Sequence, residues 1–301
     1  MPASQLRAVL RHSRTSPIHS VDGRGSETPL GSRGIVLGVT GALGAPGVTF
    51  LSINLAFAML RQGLTIALVD ADPRLGAVAV QLDLAEDRSL VYLAHEAALR
   101  RVDEQLVSAH LQTASGLDVL TGRAVAGLGD IVPAGVVGEV MNHLRRRYDV
   151  VVVDLGALDG PTAQETALLA QMLIWVAVPT KVGIDLLDRT LAGPLAGAVR
   201  TRPSFVVLNR LDTLALRDVD RSLRSRYGMG VIAAIPRHTR ACQRAESDAV
   251  PAVFSGPLAK PLWRCARSVA AALRSAIRDV DGDSQTAFPY AGAGLVRGHS
   301  R

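Results

Sequence analysis

Thr40 to Asn54 reads T-G-A-L-G-A-P-G-V-T-F-L-S-I-N, between the apolar run Ile35–Val39 and a second apolar run, Leu51–Leu60. The first run has the character of a strand and the second of a helix, so a glycine-rich turn joins strand to helix. That junction is where a phosphate-binding loop belongs, because helix N–H groups and glycine backbone together form an anion nest. Gly41, Gly44 and Gly47 let the backbone approach an anion closely, and Thr49 stands where a loop hydroxyl would hold Mg²⁺. The pattern G-x-x-x-x-G-K-[ST] is broken twice, since Ala42 replaces its first glycine and Val48 its lysine.

Working outward, strand, loop and helix are followed by a second strand, Leu64–Asp70, with Gly63 at the turn. This βαβ unit implies a parallel sheet with a right-handed crossover. Helices are predicted over Ser89–Leu99 and Asp103–His110, a strand over Leu117–Leu120, and a helix opened by proline over Pro133–Arg147. Asp149–Asp154, D-V-V-V-V-D, is apolar on both faces and belongs in the middle of a covered sheet. The alternation continues with helix Pro161–Ala170, strand Leu173–Val178, helix Gly183–Val199, strand Phe205–Asn209, helix Val219–Tyr227, strand Val231–Ile235 and helix Pro261–Val280. This pattern predicts an α/β fold: one doubly wound, mainly parallel sheet with helices on both faces, over residues 34–280. Residues 1–33, rich in Arg, Ser, Gly and Pro, read as a disordered basic arm, and residues 281–301 as a flexible tail.

A chain of 301 residues, 48% hydrophobic, can bury a large core. Its net charge of +6 is carried almost wholly by arginine, since Lys181 and Lys260 are the only lysines. The two cysteines, Cys242 and Cys265, have neither metal-ligand spacing nor a disulfide framework, which fits a reducing cytoplasm. The N-terminus has no apolar signal core, and the apolar run Ala167–Pro179 is too short to span a bilayer. A cytoplasmic protein is expected, with any membrane contact indirect.

Ligands of open α/β sheets collect at the carboxyl ends of strands. Asp70 and Asp72 end the second strand in L-V-D-A-D-P, and Asp154 ends V-V-V-V-D. Beside a glycine loop, such aspartates hold Mg²⁺ or its waters. The alternative is that each merely caps the turn that follows it.

The blocks G-A-L-G-A-P-G-V-T-F-L-S-I-N-L-A, L-V-D-A-D-P, Y-D-V-V-V-V-D, V-V-L-N-R and A-I-P-R, in this order, resemble the MinD/ParA class of P-loop ATPases, with its deviant Walker A loop K-G-G-x-G-K-[ST]. Within that class the chain is most similar to the CpaE/TadZ branch, including its septum-site-determining members. Two features carry this finer likeness, a small residue at the Walker lysine and the run D-P-R-L-G-A-V-A-V-Q-L-D-L from Asp72 to Leu84.

The resemblance implies that Gly44, Gly47, Val48 and Thr49 form the loop around ATP or ADP with Mg²⁺. Thr49, Asp70 and Asp154 stand on the metal side, and Asp72 positions the attacking water if the chain is active. Asn209 contacts adenine, with Arg210 beside it, and Pro236 lies in the segment lining the base. Leu43 and Val48 occupy the positions of the two loop lysines, and Pro46 removes a loop N–H. Losing one charge-stabilising donor costs on the order of 10²- to 10³-fold in rate, so fast hydrolysis is not expected. Arg74 and Arg210 are the candidate substitutes for lysine.

The expected function is that of a spatial regulator or scaffold for septum-site determination or for pilus and secretion assembly, as a homodimer docking on that machinery. The alternatives are an active ATPase using arginine, or a ParA-like partition protein binding DNA through Arg145–Arg147, Arg221, Arg224, Arg226, Arg237, Arg240 and Arg244. CpaE-like members often carry an N-terminal receiver-like domain; with 33 residues before Gly34, recruitment through such a domain is not expected here. The final helix is amphipathic and is expected to pack on the sheet rather than on a membrane.

Overall fold

The computed structural model describes residues 34–42, 46–123, 132–133, 135–193, 201–212 and 216–282. The basic arm, most of the tail, Leu43 and Gly44 lie outside the described residues. The strands are β1 (Ile35–Gly41), β2 (Ile66–Asp70), β3 (Gln112–Ala114), β4 (Leu117–Leu120), β5 (Val150–Asp154), β6 (Met172–Ala177), β7 (Ser204–Leu211) and β8 (Gly230–Pro236). The helices are α1 (Val48–Leu60), α2 (Val78–Leu82), α3 (Leu90–Ala97), α4 (Glu104–His110), α5 (Val136–Arg147), α6 (Pro161–Leu169), α7 (Lys181–Ala192), α8 (Leu216–Tyr227), α9 (Thr239–Ser247) and α10 (Ala259–Gly282).

The strands form one sheet in the order β3-β4-β2-β5-β1-β6-β7-β8, parallel in every pairing except β3 with β4. β1 lies inside it, with Leu37 opposite Val152 of β5 on one side and Met172 of β6 on the other. The expected doubly wound α/β architecture is therefore present. The all-apolar strands occupy the middle, and each of Val150 to Asp154 is buried, as sheet interiors covered on both faces require.

Alternate residues feed two separate cores. Val36, Val151 and Val153 face α3 to α8, whereas Leu37, Val39 and Val152 face α1 and α10. α1 is apolar nearly all round because it is sandwiched between the sheet and α10. The last helix does pack on the sheet, with Leu262, Cys265, Val269 and Leu273 in the core.

Four features differ from expectation. Pro133 does not open α5; Gly135, at φ 89°, precedes its first residue and donates its N–H to Glu165 Oε1 at 2.9 Å. β3 pairs antiparallel with β4 through Ser115 and Gly116, at φ 47° and 88°, the conformation of a tight hairpin turn. α9 was not foreseen in the sequence. The helix expected over Gly183–Val199 is described as Lys181–Ala192, and residues 194–200 lie outside the described residues. Among the described residues no helix is long and apolar enough to cross a membrane.

Candidate functional site

The carboxyl ends of β1, β2, β5, β7 and β8 converge on one edge of the sheet. β1 ends at Gly41, where a Cβ would lie 2.6 Å from Pro46 Cγ and 2.8 Å from the Val176 carbonyl oxygen, so only glycine fits. Gly47, left-handed at φ 98°, turns the chain into α1, and no side chain caps the helix there. Gly47, Val48, Thr49 and Phe50 line a cavity of about 660 Å³, within the size range of small-ligand sites. Val48 is only 6% exposed. An apolar, buried side chain thus stands where the loop pattern calls for a lysine.

Asp70 and Asp154 are neighbours in the β2–β5 register and are 1% and 3% exposed. Asp70 Oδ1 accepts the Asp72 N–H at 3.1 Å, and its Oδ2 accepts the Val78 N–H at 3.2 Å. Asp154 accepts the Gly156 N–H at 3.2 Å and a hydrogen bond from the Thr49 side chain. Burial pushes the Asp70 carboxyl well above the usual range, with the Asp154 charge acting in the same sense. Burial likewise pushes Asp154 up to about 6, against the two hydrogen bonds that favour its ionised form.

Asp72 is half-buried, and its Oδ1 caps the turn by accepting the N–H groups of Arg74 and Leu75 at 3.0 and 2.9 Å. Its other oxygen points toward Gly156, 3.7 Å from where a Cβ would stand. Gly156 in turn accepts from the Thr40 hydroxyl at 2.9 Å and from the Gly41 N–H at 3.2 Å. Each aspartate therefore caps local backbone; Asp154 also meets Thr49 of the loop, and the three lie behind the lining of the cavity rather than in it.

The expected metal-side residues fit a divalent cation chemically, since they offer a hydroxyl and two adjacent buried carboxylates. Mg²⁺ is commonly held by one or two carboxylates with water and ligand phosphates. Among the described residues no cluster of three His, Cys, Asp or Glu is arranged as an all-protein cage, so water and phosphate would complete the shell.

Across the cavity, Asn209 donates from Nδ2 to the Pro46 carbonyl at 2.7 Å and accepts the Arg210 N–H at 2.9 Å. Its amide packs against Gly47, where a Cβ would fall 2.3 Å from Nδ2. The residue matched to an adenine contact is here a fastener of the glycine loop. Arg210 and Pro236 line the cavity, whereas Arg74 pairs with Asp159 at 3.3 Å outside it. Gln81, Cys242, Gln243 and Glu246 also line it and were missed in the sequence. The last three come from α9, a polar helix with no buried residue and hence no apolar period to read. Gly156, two residues past the acidic end of β5, was legible as a turn signal.

An open, mainly parallel sheet with a glycine loop leading into α1, and acidic ends on the neighbouring strands, defines a nucleotide-binding α/β domain. The chain belongs to the CobQ/CobB/MinD/ParA nucleotide binding domain family, which matches residues 38–251. Solved structures similar to it include the Pyrococcus furiosus cell division ATPase MinD, at 20% identity and TM-score 0.66 over 79% of this chain and 99% of that one. The septum site-determining protein MinD of Pyrococcus horikoshii, complexed with Mg-ADP, aligns at 17% identity and TM-score 0.66 over 80% and 98%. An ATP complex of a Cyanothece McdA variant aligns at 16% identity and TM-score 0.64 over 81% and 98%. At these identities the likeness is one of fold. No curated protein matches the chain in sequence.

Proposed function

We propose that the chain is a degenerate MinD-like protein of the CpaE/TadZ kind, with a deviant Walker loop stripped of its lysines. It acts as a spatial regulator or scaffold in septum-site determination or in pilus and secretion assembly, with little or no ATP hydrolysis. The observation that carries this reading is the buried Val48 beside an otherwise furnished cleft, where the Thr49–Asp154 pair, the cavity and the capped acidic turns all remain. Backbone N–H groups and a helix terminus worth about half a charge then face the phosphates, with Mg²⁺ held at Thr49, Asp70 and Asp154.

Nucleotide binding as ATP or ADP is supported by relatives of the fold solved with Mg-ADP and with ATP. A MinC:MinD complex from Aquifex aeolicus supports the reading of the fold as a docking platform, here for a homodimer engaging division or secretion proteins. Recruitment to a septum or pole belongs to the same reading, with residues 1–33 and 281–301 as appendages of a 34–280 domain.

Two competing readings stay testable. Arg210 lines the cavity and is the better lysine substitute, because Arg74 pairs with Asp159 outside it. DNA binding by α8 and its neighbours is weakened by charge pairing, since Arg221, Arg224, Arg226 and Arg237 each meet a carboxylate.

Titration of the purified chain with a fluorescent ATP analogue and Mg²⁺, alongside phosphate release, tests the proposal. Binding without turnover is expected. Robust turnover abolished by Asp72→Ala overturns it, and its loss in Arg210→Ala names the substitute cation.

A further inference from the structure

From Asn209 to Asp212 the chain reads N-R-L-D, and there β7 slips out of register with β8. Leu208 pairs with Ala234 and Leu211 with Pro236, so β7 carries one residue more than its partner between these pairs. The surplus is taken up as a bulge at Asn209 and Arg210, with Arg210 in the left-handed region at φ 56°. Bulges re-aim side chains beside sites, and a non-glycine residue at positive φ stores strain that its surroundings must hold. Here the Arg210 N–H donates to Asn209 Oδ1 at 2.9 Å, and the Arg237 N–H donates to the Leu211 carbonyl at 3.1 Å.

The bulge delivers Asp212 to Arg237, whose Nε donates to both carboxylate oxygens, at 2.8 and 2.6 Å. Arg210 and Arg237 both line the cavity. In the strand order β1-β6-β7-β8, the cavity runs from the glycine loop at the end of β1, past Asn209, toward the Arg237–Asp212 couple at the sheet edge. Strand spacing puts these ends about 14 Å apart. A nucleotide with its phosphates on the glycine loop extends its base toward this couple.

Arginine only donates, and an ionised carboxylate only accepts. Arg237 and Asp212 keep 46% and 55% of their side-chain surface open, and each Asp212 oxygen has a second lone pair left after Arg237. The couple is thus a fixed donor beside a fixed pair of acceptors. Guanine presents O6 as an acceptor next to N1–H and N2–H₂ as donors, which matches the couple with three bonds. Adenine presents N6–H₂ and a bare N1, so it makes one bond to each partner and leaves a carboxylate oxygen against C2–H. Glu246 of α9 also lines the cavity, but it is exposed with no ion pair among the described residues. Ordering it on a base costs rotamer freedom that Asp212 has already lost.

We infer that the cleft takes guanine in preference to adenine nucleotides, with Asp212 reading N1–H and N2–H₂ and Arg237 positioning it. The inference rests on the reading of this cleft as a nucleotide site and adds which base it selects.

The test is titration of the full chain, in Mg²⁺, with GTP, ATP, inosine triphosphate and xanthosine triphosphate, each labelled with a fluorophore on the ribose so that the base edge is unaltered. GTP is expected to bind about tenfold more tightly than ATP. Inosine triphosphate lacks only the 2-amino group and is expected to bind about fivefold more weakly than GTP. Asp212→Asn replaces one acceptor by an N–H₂ donor, which opposes guanine N2–H₂ but meets the O2 carbonyl of xanthine. It is expected to weaken GTP about tenfold and to strengthen xanthosine triphosphate by a similar factor. A merely structural Asp212 cannot produce that exchange. Asp218→Asn, at an exposed carboxylate of α8 outside the cavity, leaves every affinity within about twofold.

If circular dichroism shows Asp212→Asn unfolded, the order GTP, inosine triphosphate, ATP on the parent chain decides alone. ATP bound as tightly as GTP overturns the inference and leaves the nucleotide reading in place, whereas binding of none of these nucleotides overturns both. Equal affinity for GTP and inosine triphosphate overturns it too. So does a guanine preference that survives Asp212→Asn, or one that is lost in Glu246→Gln instead.

Discussion

Two flanks of the cleft meet at Thr49, and their electrostatics are opposed. On the β2–β5 flank, Asp70 and Asp154 lie side by side with almost no solvent, and burial drives both carboxyls toward their protonated forms. On the β1–α1 flank, the loop from Thr40 to Asn54 contains no charged residue. Val48 is buried, and the Asn209 amide is spent on the Pro46 carbonyl. In a phosphate site with its lysines, buried anions on one side answer cations on the other. Here the acidic half stands without that counterpart, so a divalent ion would relieve it more than it would relieve a balanced cleft.

The sharpest way to break this contrast is to restore the missing charge. Val48→Lys is expected to raise Mg-ATP affinity and phosphate release by on the order of 10²-fold. It is also expected to lower the stability of the ligand-free chain by about 1–3 kcal/mol, because a lysine stem replaces a well-packed valine. Titration and denaturant melts measure the two effects. No gain in affinity would mean that the loop backbone no longer has phosphate geometry, and that the two flanks differ in more than charge.

A second test removes a charge from the acidic side. The Asp154 carboxyl sits near 6 in the fold, above its ordinary value of 3.8, so the folded chain binds more protons than the unfolded chain between those values. Stability from this group therefore falls as pH rises through that window, then stays level. Asp154→Asn escapes the fall. In Mg²⁺-free buffer it is expected to exceed the parent by roughly 2 kcal/mol above pH 7, with the gain vanishing toward pH 4. Parallel urea melts at several pH values measure it, and a gain that persists unchanged into acid would show that electrostatics is not its source.

The smallest effect belongs to the fastener between the flanks. Asn209→Ala deletes the bond to Pro46 and is expected to cost about 1 kcal/mol. Amide exchange at Gly47 to Phe50 should quicken while that of β5 does not change. Equal quickening in both would show that the loop and the acidic strand ends open as one unit.

Much of this arrangement was legible in the sequence because it follows from unbroken apolar runs. Val150–Asp154 is such a run and is buried throughout, Leu117–Leu120 is a strand interrupted by the half-buried Asp118, and the glycine loop falls between β1 and α1 as its flanks imply. β3 was not legible, being a three-residue strand defined by its partner rather than by any alternation. The Ser115–Gly116 turn was nevertheless a usable hairpin signal. Pro133 misled because proline favours a helix start, yet Gly135 and its bond to Glu165 decide where α5 begins. The aspartates were identifiable at strand ends, but no pattern could say that Asn209 turns its amide to a carbonyl 163 residues away in sequence. Nor could it say that Arg74 is drawn off by Asp159. Such contacts depend on which loops the finished sheet brings together.

The interior position of β1 also governs how the chain is made. Leu37 finds its partners at Val152 and Met172, so the first strand to leave the ribosome is flanked by strands synthesised far later. At a synthesis rate of about 5–20 residues per second, roughly seven to thirty seconds separate β1 from β6. During that interval the largely apolar β1 and the apolar α1 have no sheet to enter. The nascent chain must be shielded until β5 emerges, and its yield in a cell will depend on chaperone capacity as well as on the stability of the finished fold.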